Sequence, residues 1–174
     1  MTVRLFVALD LPEEARAALA AFRDAAADPA VWRALSETSF HVTLAFIGHR
    51  DEADIARCTA ALAAVRVPAS LPLALGRGLL LSRVLTVAVE DPSGGLEAVQ
   101  ADVSDALAGA RVYAPEARRF RPHVTVGRLR KGARPAGRIT AVPEPVAFAG
   151  GPVVLYRSIL GHGPANYEPL WSSG

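Results

Sequence analysis

Two of the four histidines in this chain begin the same tripeptide, His-Val-Thr, at residues 41–43 and 123–125. An imidazole changes its protonation state near neutral pH, so a pair of histidines can accept a proton from a nucleophile and donate one to a leaving group. The threonine hydroxyls can donate hydrogen bonds to anionic oxygens held between the histidines. The repeated tripeptide therefore predicts acid–base catalysis on an anionic substrate such as a phosphodiester.

Each tripeptide lies in a stretch with the alternating pattern of a β-strand. Alternation places His41 and Thr43 on one face and an apolar set on the other. The apolar set is Val42, Leu44 and Phe46, whereas Ala45 and Ile47 fall on the histidine face. The second stretch repeats this arrangement, with His123 and Thr125 opposite Val124 and Val126. We expect the apolar faces to be buried and the two His/Thr pairs to project from the other faces.

Neither tripeptide has a neighbouring carboxylate, and magnesium sites and the usual zinc triads need more ligands than an HxT segment supplies. The single cysteine, Cys58, excludes an internal disulfide and a cysteine-built zinc site. We therefore expect catalysis without a metal or any other cofactor.

The net charge of the chain is only +2, but residues 111–138 contain nine basic residues and one acid, Glu116. Arginine binds phosphate oxygens in a bidentate manner, so the segment favours a polyanionic partner. A solvated charged face explains the charge alone equally well. The basic residues are Arg111, Arg118, Arg119, Arg121, Arg128, Arg130, Lys131, Arg134 and Arg138.

The coarse pattern predicts strands at 3–11, 40–48, 71–78, 83–90 and 121–129, and two more within 145–161. Helices are predicted from Pro12, near Asp51 and near Gly94, and the tail after residue 161 is expected to be irregular. Several links between strands are short, which favours an α+β fold of mainly antiparallel sheet. The repeated strand context indicates two pseudo-symmetric lobes with outer helices, forming one domain over residues 1–174.

No apolar run is long enough to cross a bilayer, because the longest candidate is interrupted by Arg77 and Arg83. The N-terminal stretch reaches Asp10 too soon for a good signal peptide. We expect a cytoplasmic monomer with no membrane partner.

The segments "FHVTLAFIG" and "RPHVTVGRL" resemble the two HxT motifs of the two-histidine phosphoesterase superfamily, in particular its RNA 2′,3′-cyclic phosphodiesterase branch, also called the 2′-5′ RNA ligase family. The opening "RLFVALDLPEE" and the ending "VVLYRSILGHGPANYEPLW" resemble that branch too, so the likeness covers nearly the whole chain. It implies a two-lobed α+β fold with the active-site cleft between the lobes. It also implies hydrolysis of 2′,3′-cyclic phosphates to 2′-phosphomonoesters.

Carried over by position, His41 and Thr43 match the first motif, and His123 and Thr125 match the second. The resemblance implies that His41 protonates the departing 3′ oxygen and that His123 activates water. The sequence leaves the order of these two roles open. The implied substrates are RNA with a 2′,3′-cyclic phosphate end, tRNA fragments among them, or cyclic nucleotides.

Four further residues are candidates for substrate binding. Arg128 holds the arginine position of the second motif, although alternation turns it away from His123. Arg121 and Arg130 flank that motif and are candidates for an RNA track. Phe6 lies in the first strand, where it either stacks on a base or packs in the core. The residues weighed and set aside as exposed or structural are His49, His162, Trp32, Trp171, Tyr156 and Tyr167.

Three alternative functions stay open at this point. The same groups would serve ATP-independent 2′-5′ RNA ligation by microscopic reversibility, and Lys131, the only lysine, lies in a glycine-rich loop. A small-molecule cyclic nucleotide phosphodiesterase would use the histidines without the basic segment. A non-enzymatic RNA- or nucleotide-binding protein would need the basic surface but not both HxT segments.

Overall fold

A computed structural model of the chain describes residues 1–135, 139–159 and 166–174. Its helices are α1 (Glu13–Ala26), α2 (Asp54–Ala63) and α3 (Gly95–Gly109). Its strands are β1 (Thr2–Leu9), β2 (Trp32–Ala34), β3 (Val42–Asp51), β4 (Pro72–Leu81), β5 (Val84–Glu90), β6 (His123–Leu129), β7 (Ala147–Ala149), β8 (Val153–Ile159) and β9 (Asn166–Ser172). The predictions for Arg138 and His162 lie outside the described residues.

The described strands form one antiparallel sheet in the order β7-β4-β5-β6-β3-β1-β8-β9, and β2 pairs with β6. We call β3, β1, β8 and β9 the first lobe, and β6, β5, β4 and β7 the second lobe. The lobes meet where β3 lies beside β6, and a single residue pair, Val42 with Val124, is in register there. This architecture confirms the predicted α+β fold of two antiparallel lobes.

The helices cover the sheet in a crossed arrangement. Helix α1 follows β1 of the first lobe but packs against β6 and β7 of the second, whereas α2 and α3 pack against β3 of the first lobe. The Phe22 ring of α1 lies so close to β4 that a Cβ at Gly78 would be 2.5 Å from it. Glycine is therefore needed at residue 78 for this close packing.

One hydrophobic core runs beneath both lobes. Val42 and Val124, the central residues of the two tripeptides, are fully buried in it. Each transfers its apolar side chain out of water, which stabilises the fold by about 1.5–3 kcal/mol per residue. The buried faces of β3 and β6 thus fix the two HxT segments at the centre of the molecule.

Two strand predictions are wrong. Strand β3 does not end at Gly48 but continues to Asp51, because Gly48 adopts a φ of +81° that allows the strand to bend without stopping. The tail is not irregular: residues 166–172 form β9 at the edge of the sheet, paired with β8. An edge strand tolerates Pro169, whose missing N–H can face away from the ladder.

No helix in the described part of the chain is long and apolar enough to span a membrane.

Candidate active site

The two HxT segments face each other across the junction of the lobes. Since Val42 pairs with Val124 in antiparallel register, one step along each strand places His41 opposite Thr125, and Thr43 opposite His123. Neighbours directly across such a pair have Cβ atoms about 4.5–5.5 Å apart, and diagonal neighbours are about 7–8 Å apart. The two histidines therefore occupy opposite corners of a small group whose other corners are the two threonines.

Both strands carry a β-bulge directly after the threonine. In β3, Ala8 pairs with Thr43 and Val7 with Ala45, so Leu44 is an extra residue. Leu44 and Ala45 both point inward and are 3% and 2% exposed. A bulge of this kind turns the next side chain back to the opposite face.

The same bulge occurs in β6, where the pairing of Thr86 with Thr125 and of Leu85 with Gly127 leaves Val126 extra. Val126 and Gly127 are both buried. The third residue after Thr125, Arg128, is exposed. The two lobes thus repeat the HxT segment and also the irregularity that follows it.

These bulges overturn the face assignments made by simple alternation. The prediction that Phe46 is buried with Val42 is wrong, since Phe46 is 45% exposed and its ring lies 4.9 Å from the guanidinium of Arg4. Ala45 and Ile47 are buried rather than placed on the histidine face.

Arg128 does not point away from the histidines as alternation predicted, because the bulge at Val126 reverses its direction. Its positive charge acts on His41 and lowers the pKa of that histidine. No ion pair or hydrogen bond holds the Arg128 guanidinium within the described chain. Arg128 is thus a free cation close to the histidine pair.

His41 is enclosed by aromatic rings. The Phe6 ring stacks on it at 4.9 Å between centroids, and the Tyr167 ring lies edge-on to it at 5.4 Å. Phe6 also stacks on Tyr156 at 5.3 Å, and the Tyr156 hydroxyl donates a hydrogen bond to Asp10 Oδ1 at 2.7 Å. This arrangement, which we call the aromatic cluster, fixes the plane of the His41 imidazole.

Burial lowers the pKa of His41 from 6.5 to about 4, and the charges of Arg16, Arg128 and His123 act in the same direction. A hydrogen bond with the backbone of Ser39 opposes the shift. The imidazole of His41 is consequently neutral at neutral pH in the free protein.

His123 is held by a matching contact but in a different environment. Its Nδ1 lies 2.7 Å from the carbonyl oxygen of Arg121, two residues earlier in the chain. A carbonyl only accepts, so Nδ1 carries the hydrogen and Nε2 is left for the substrate. Beyond His123 the surface opens into a groove of about 660 Å³.

The other candidates are spread over the molecule. Phe6 is 4% exposed with His41 and Tyr156 stacked on it, an environment that favours packing against His41 over contact with a base. Arg121 is exposed in the segment that leads into β6, two residues before His123. Arg130 lies beyond the other end of that strand, where its Nε donates to the carbonyl of Pro29 at 2.8 Å. Seven residues of extended chain span about 23 Å, so Arg130 is far from His123.

The residues set aside fall into two groups. His49 is exposed and Trp32 is buried in the core, as predicted. Tyr156 and Tyr167 were interpreted as structural, and both pack in the aromatic cluster around His41. The sequence offered no signal for this grouping, because it depends on β9, which was not predicted, and on the pairing of Phe6 with Tyr156.

Within residues 1–135, 139–159 and 166–174, no group of three or more His, Cys, Asp or Glu side chains is placed to hold a metal ion.

Two pseudo-symmetric antiparallel lobes with an HxT segment at the centre of each define a two-histidine phosphoesterase fold. Residues 8–159 match the sequence profile of the 2′-5′ RNA ligase superfamily, and the chain belongs to that superfamily. This confirms the resemblance seen in the two motifs.

Proteins named RNA 2′,3′-cyclic phosphodiesterase are similar in sequence over much of the chain. The protein from Escherichia coli (strain K12) is 28% identical over 171 residues, covering 96% of this chain and 93% of its own. The protein from Geobacillus stearothermophilus is 30% identical, covering 95% of this chain and 55% of its own.

Solved structures of E. coli LigT are similar in fold. The crystal structure of LigT complexed with 3′-AMP has a TM-score of 0.83 and 27% identity, covering 99% of this chain and 98% of LigT. The structure complexed with phosphate has a TM-score of 0.78 and 25% identity, covering 98% and 97% of the two chains.

Proposed function

We propose that this protein is an RNA 2′,3′-cyclic phosphodiesterase that hydrolyses 2′,3′-cyclic phosphate ends to 2′-phosphomonoesters without a metal ion. The observation that carries the proposal is the pairing of Val42 with Val124, which sets two His/Thr pairs across from each other on one face of the sheet. The activity named for the E. coli and G. stearothermophilus relatives supports the same substrate class.

The proposed reaction is an in-line displacement at phosphorus. A water molecule attacks the phosphorus, the bond from phosphorus to the 3′ oxygen breaks, and the bond to the 2′ oxygen stays. One histidine takes the proton from water, and the other gives a proton to the departing 3′ oxygen; both regain their starting states when the base releases its proton to solvent and the acid takes one up. Following the family resemblance, we assign the acid to His41 and the base to His123.

The pKa of His41 sets a condition on this assignment. With a pKa of about 4, the His41 imidazole is neutral near pH 7 in the free protein, so it must gain a proton when substrate binds. A phosphate anion beside the ring favours the imidazolium, and an opposite charge at such a distance shifts a pKa by about 1–3 units. The anion would also offset the charges of Arg16 and Arg128, which lower the pKa in the free protein.

Other groups on the same face complete the proposed site. In this proposal the hydroxyls of Thr43 and Thr125 donate to the non-bridging phosphate oxygens, and Arg128 supplies a cation to the same anion. Phe46, turned outward by the bulge in β3, presents an exposed ring on this face that can contact a base.

The direct test is incubation with an oligonucleotide ending in a 2′,3′-cyclic phosphate, in EDTA, with the position of the product phosphate determined. We expect a 2′-phosphomonoester at a rate that EDTA does not change. A 3′-phosphomonoester, or no hydrolysis at all, would contradict the proposed reaction. A rate that is lost in EDTA and restored by zinc or manganese would contradict the metal-free mechanism.

The assignment of His41 as the acid and His123 as the base is tested with a cyclic substrate that carries sulfur in place of the 3′ leaving oxygen. A thiolate leaves without being protonated, so loss of the general acid costs little on this substrate. We expect His41→Ala to recover most of its turnover with the sulfur substrate and His123→Ala to stay slow. The opposite pattern would reverse the assignment.

A further inference from the structure

A groove beside His123, on the side away from His41, is not used by the proposed reaction. Its volume is about 660 Å³. It is bordered by β4, by β5 and by the segment that leads into β6. Its charged lining residues are Arg77, Asp91, Glu97, Arg119 and Arg121.

Among the described residues, two arginines of the groove have no charged partner. The two acids are engaged, because Asp91 accepts a hydrogen bond from the Glu97 backbone N–H at 3.0 Å, and Glu97 lies 3.6 Å from Arg119. Arg77 and Arg121 are exposed, and no side chain of the described chain pairs with either guanidinium. An anion entering the groove would therefore meet two free guanidinium groups.

The wall of the groove between these charges is apolar. It consists of Leu79, Leu81, Ala88 and the ring of Phe120, all partly exposed. Separated cations along an apolar and aromatic wall are the combination that binds single-stranded nucleic acid, because phosphates contact the cations while bases contact the wall.

The chemistry of the substrate fixes where the rest of the RNA lies. A 2′,3′-cyclic phosphate is the last group of its strand, so every other phosphate lies on the 5′ side of it. Around His41 the surroundings are the aromatic cluster and the carboxylate of Asp10. Arg16, also near His41, donates to the carbonyls of Leu11 and Glu37 at 2.9 and 2.6 Å. Besides Arg128, which lies near the histidine pair itself, the groove beside His123 offers free cations to the rest of a polyanion.

Resting on the proposed function, we propose that this groove binds the single-stranded RNA immediately 5′ of the cyclic phosphate. Arg77 and Arg121 contact its phosphates, and Phe120 contacts a base. Arg130, a candidate from the sequence, lies outside the groove and is bound to the carbonyl of Pro29.

The experiment compares a cyclic mononucleotide with a five-nucleotide RNA that has the same cyclic end, by measuring kcat/KM as a function of salt. Each phosphate contact made by the longer strand adds about −0.7 to its log–log salt slope. We expect a steeper slope for the oligonucleotide than for the mononucleotide in the wild type. The double variant Arg77→Gln/Arg121→Gln should reduce the difference in slope by about 1.4. It should also lower the preference for the oligonucleotide at least about tenfold at low salt, because loss of one charged contact alone is on that scale.

Two comparisons keep the result specific. Arg77→Gln alone changes a residue on β4, away from the HxT strand, so its effect cannot come from displacement of His123. Arg66→Gln removes an exposed arginine outside the groove and should leave the preference for the oligonucleotide unchanged. The proposal would be overturned if the wild type showed the same salt slope for both substrates, or if the double variant lost kcat/KM equally on both. It would also be overturned if Arg66→Gln had the same effect as the double variant.

Direct binding separates this proposal from the proposed function. A fluorescent five-nucleotide RNA with a 3′-phosphate is titrated with wild type and with Arg77→Gln/Arg121→Gln, and anisotropy reports its affinity. Weaker binding by the variant supports the groove as an RNA site even if neither cyclic substrate is hydrolysed. The same affinity in both proteins overturns the groove proposal even if hydrolysis is found.

Discussion

The two lobes share a backbone but differ in what surrounds their histidines. Each has an HxT segment, a histidine held by the backbone two residues earlier, and a bulge after the threonine. In the first lobe His41 is enclosed by Phe6, Tyr156 and Tyr167, while in the second lobe His123 borders an open groove with arginines. In the proposed reaction, the symmetric part would position the two histidines, and the asymmetric part would give each histidine a different role.

The largest effect should come from removing either histidine. His41→Ala and His123→Ala should each lower turnover on a cyclic phosphate by about 10²–10⁴-fold, the scale for losing a positioned acid or base. Steady-state kinetics on the oligonucleotide measure this effect. His49→Ala is the matched control, because His49 is exposed on the same strand as the first motif. Near-normal turnover in either HxT variant would show that the lobes do not act as a pair.

A smaller effect should come from Arg128, which has no arginine counterpart in the first lobe because Phe46 holds the matching position. Arg128→Gln should lower kcat/KM about 10- to 100-fold, since a charged hydrogen bond to phosphate contributes about 1.5–3 kcal/mol. Arg118→Gln is the control in the same basic segment, because Arg118 pairs with Glu116. If both variants behave alike, the bulge at Val126 has no role in substrate binding.

The reciprocal change in the first lobe is Phe46→Ala. We expect KM for a cyclic nucleotide to rise by about tenfold with little change in turnover, because base stacking contributes about 1–3 kcal/mol. Val142→Ala, at another exposed apolar residue, should leave KM unchanged. A fall in turnover without a change in KM would mean that Phe46 stabilises the fold of β3 and does not bind the base.

The smallest effect concerns stability in acid. The pKa of His41 is lower in the folded protein than in the unfolded chain, so the unfolded chain binds more protons between about pH 6.5 and 4. The free energy of unfolding therefore falls as the pH is lowered through that window. His41 as a residue is not fully buried, so we expect this loss to be about 1 kcal/mol, less than the full shift implies. Urea unfolding at pH 7 and pH 4.5 should show a smaller loss in His41→Gln than in wild type or His49→Gln. Equal losses would mean that the aromatic cluster does not lower the pKa of His41.

The sequence was sufficient for features that depend on local order. The helices and most strands follow from periodicity, and the two HxT segments are visible without any knowledge of the fold. The directions of Phe46 and Arg128 were predicted wrongly, since a bulge is decided by the partner strand and alternation assumes none. The aromatic cluster was missed because Phe6 and Tyr156 are neighbours only through the pairing of β1 with β8.

The crossed helices have a consequence for synthesis on the ribosome. Strand β1 pairs with β8, so the first lobe cannot close until residues near 157 have emerged. The strands of the second lobe lie within residues 72–149, and α1, the helix that packs on them, is synthesised earlier still. Contacts between distant residues form late because closing a long loop costs entropy. We therefore expect the second lobe to be compact first, with β1 and β3 waiting for the C-terminal strands. Protease digestion of ribosome-bound chains that end at residue 150, followed by an unstructured linker long enough to fill the exit tunnel, would show protection of β4–β6 but not of β1. Early protection of β1 would refute this order.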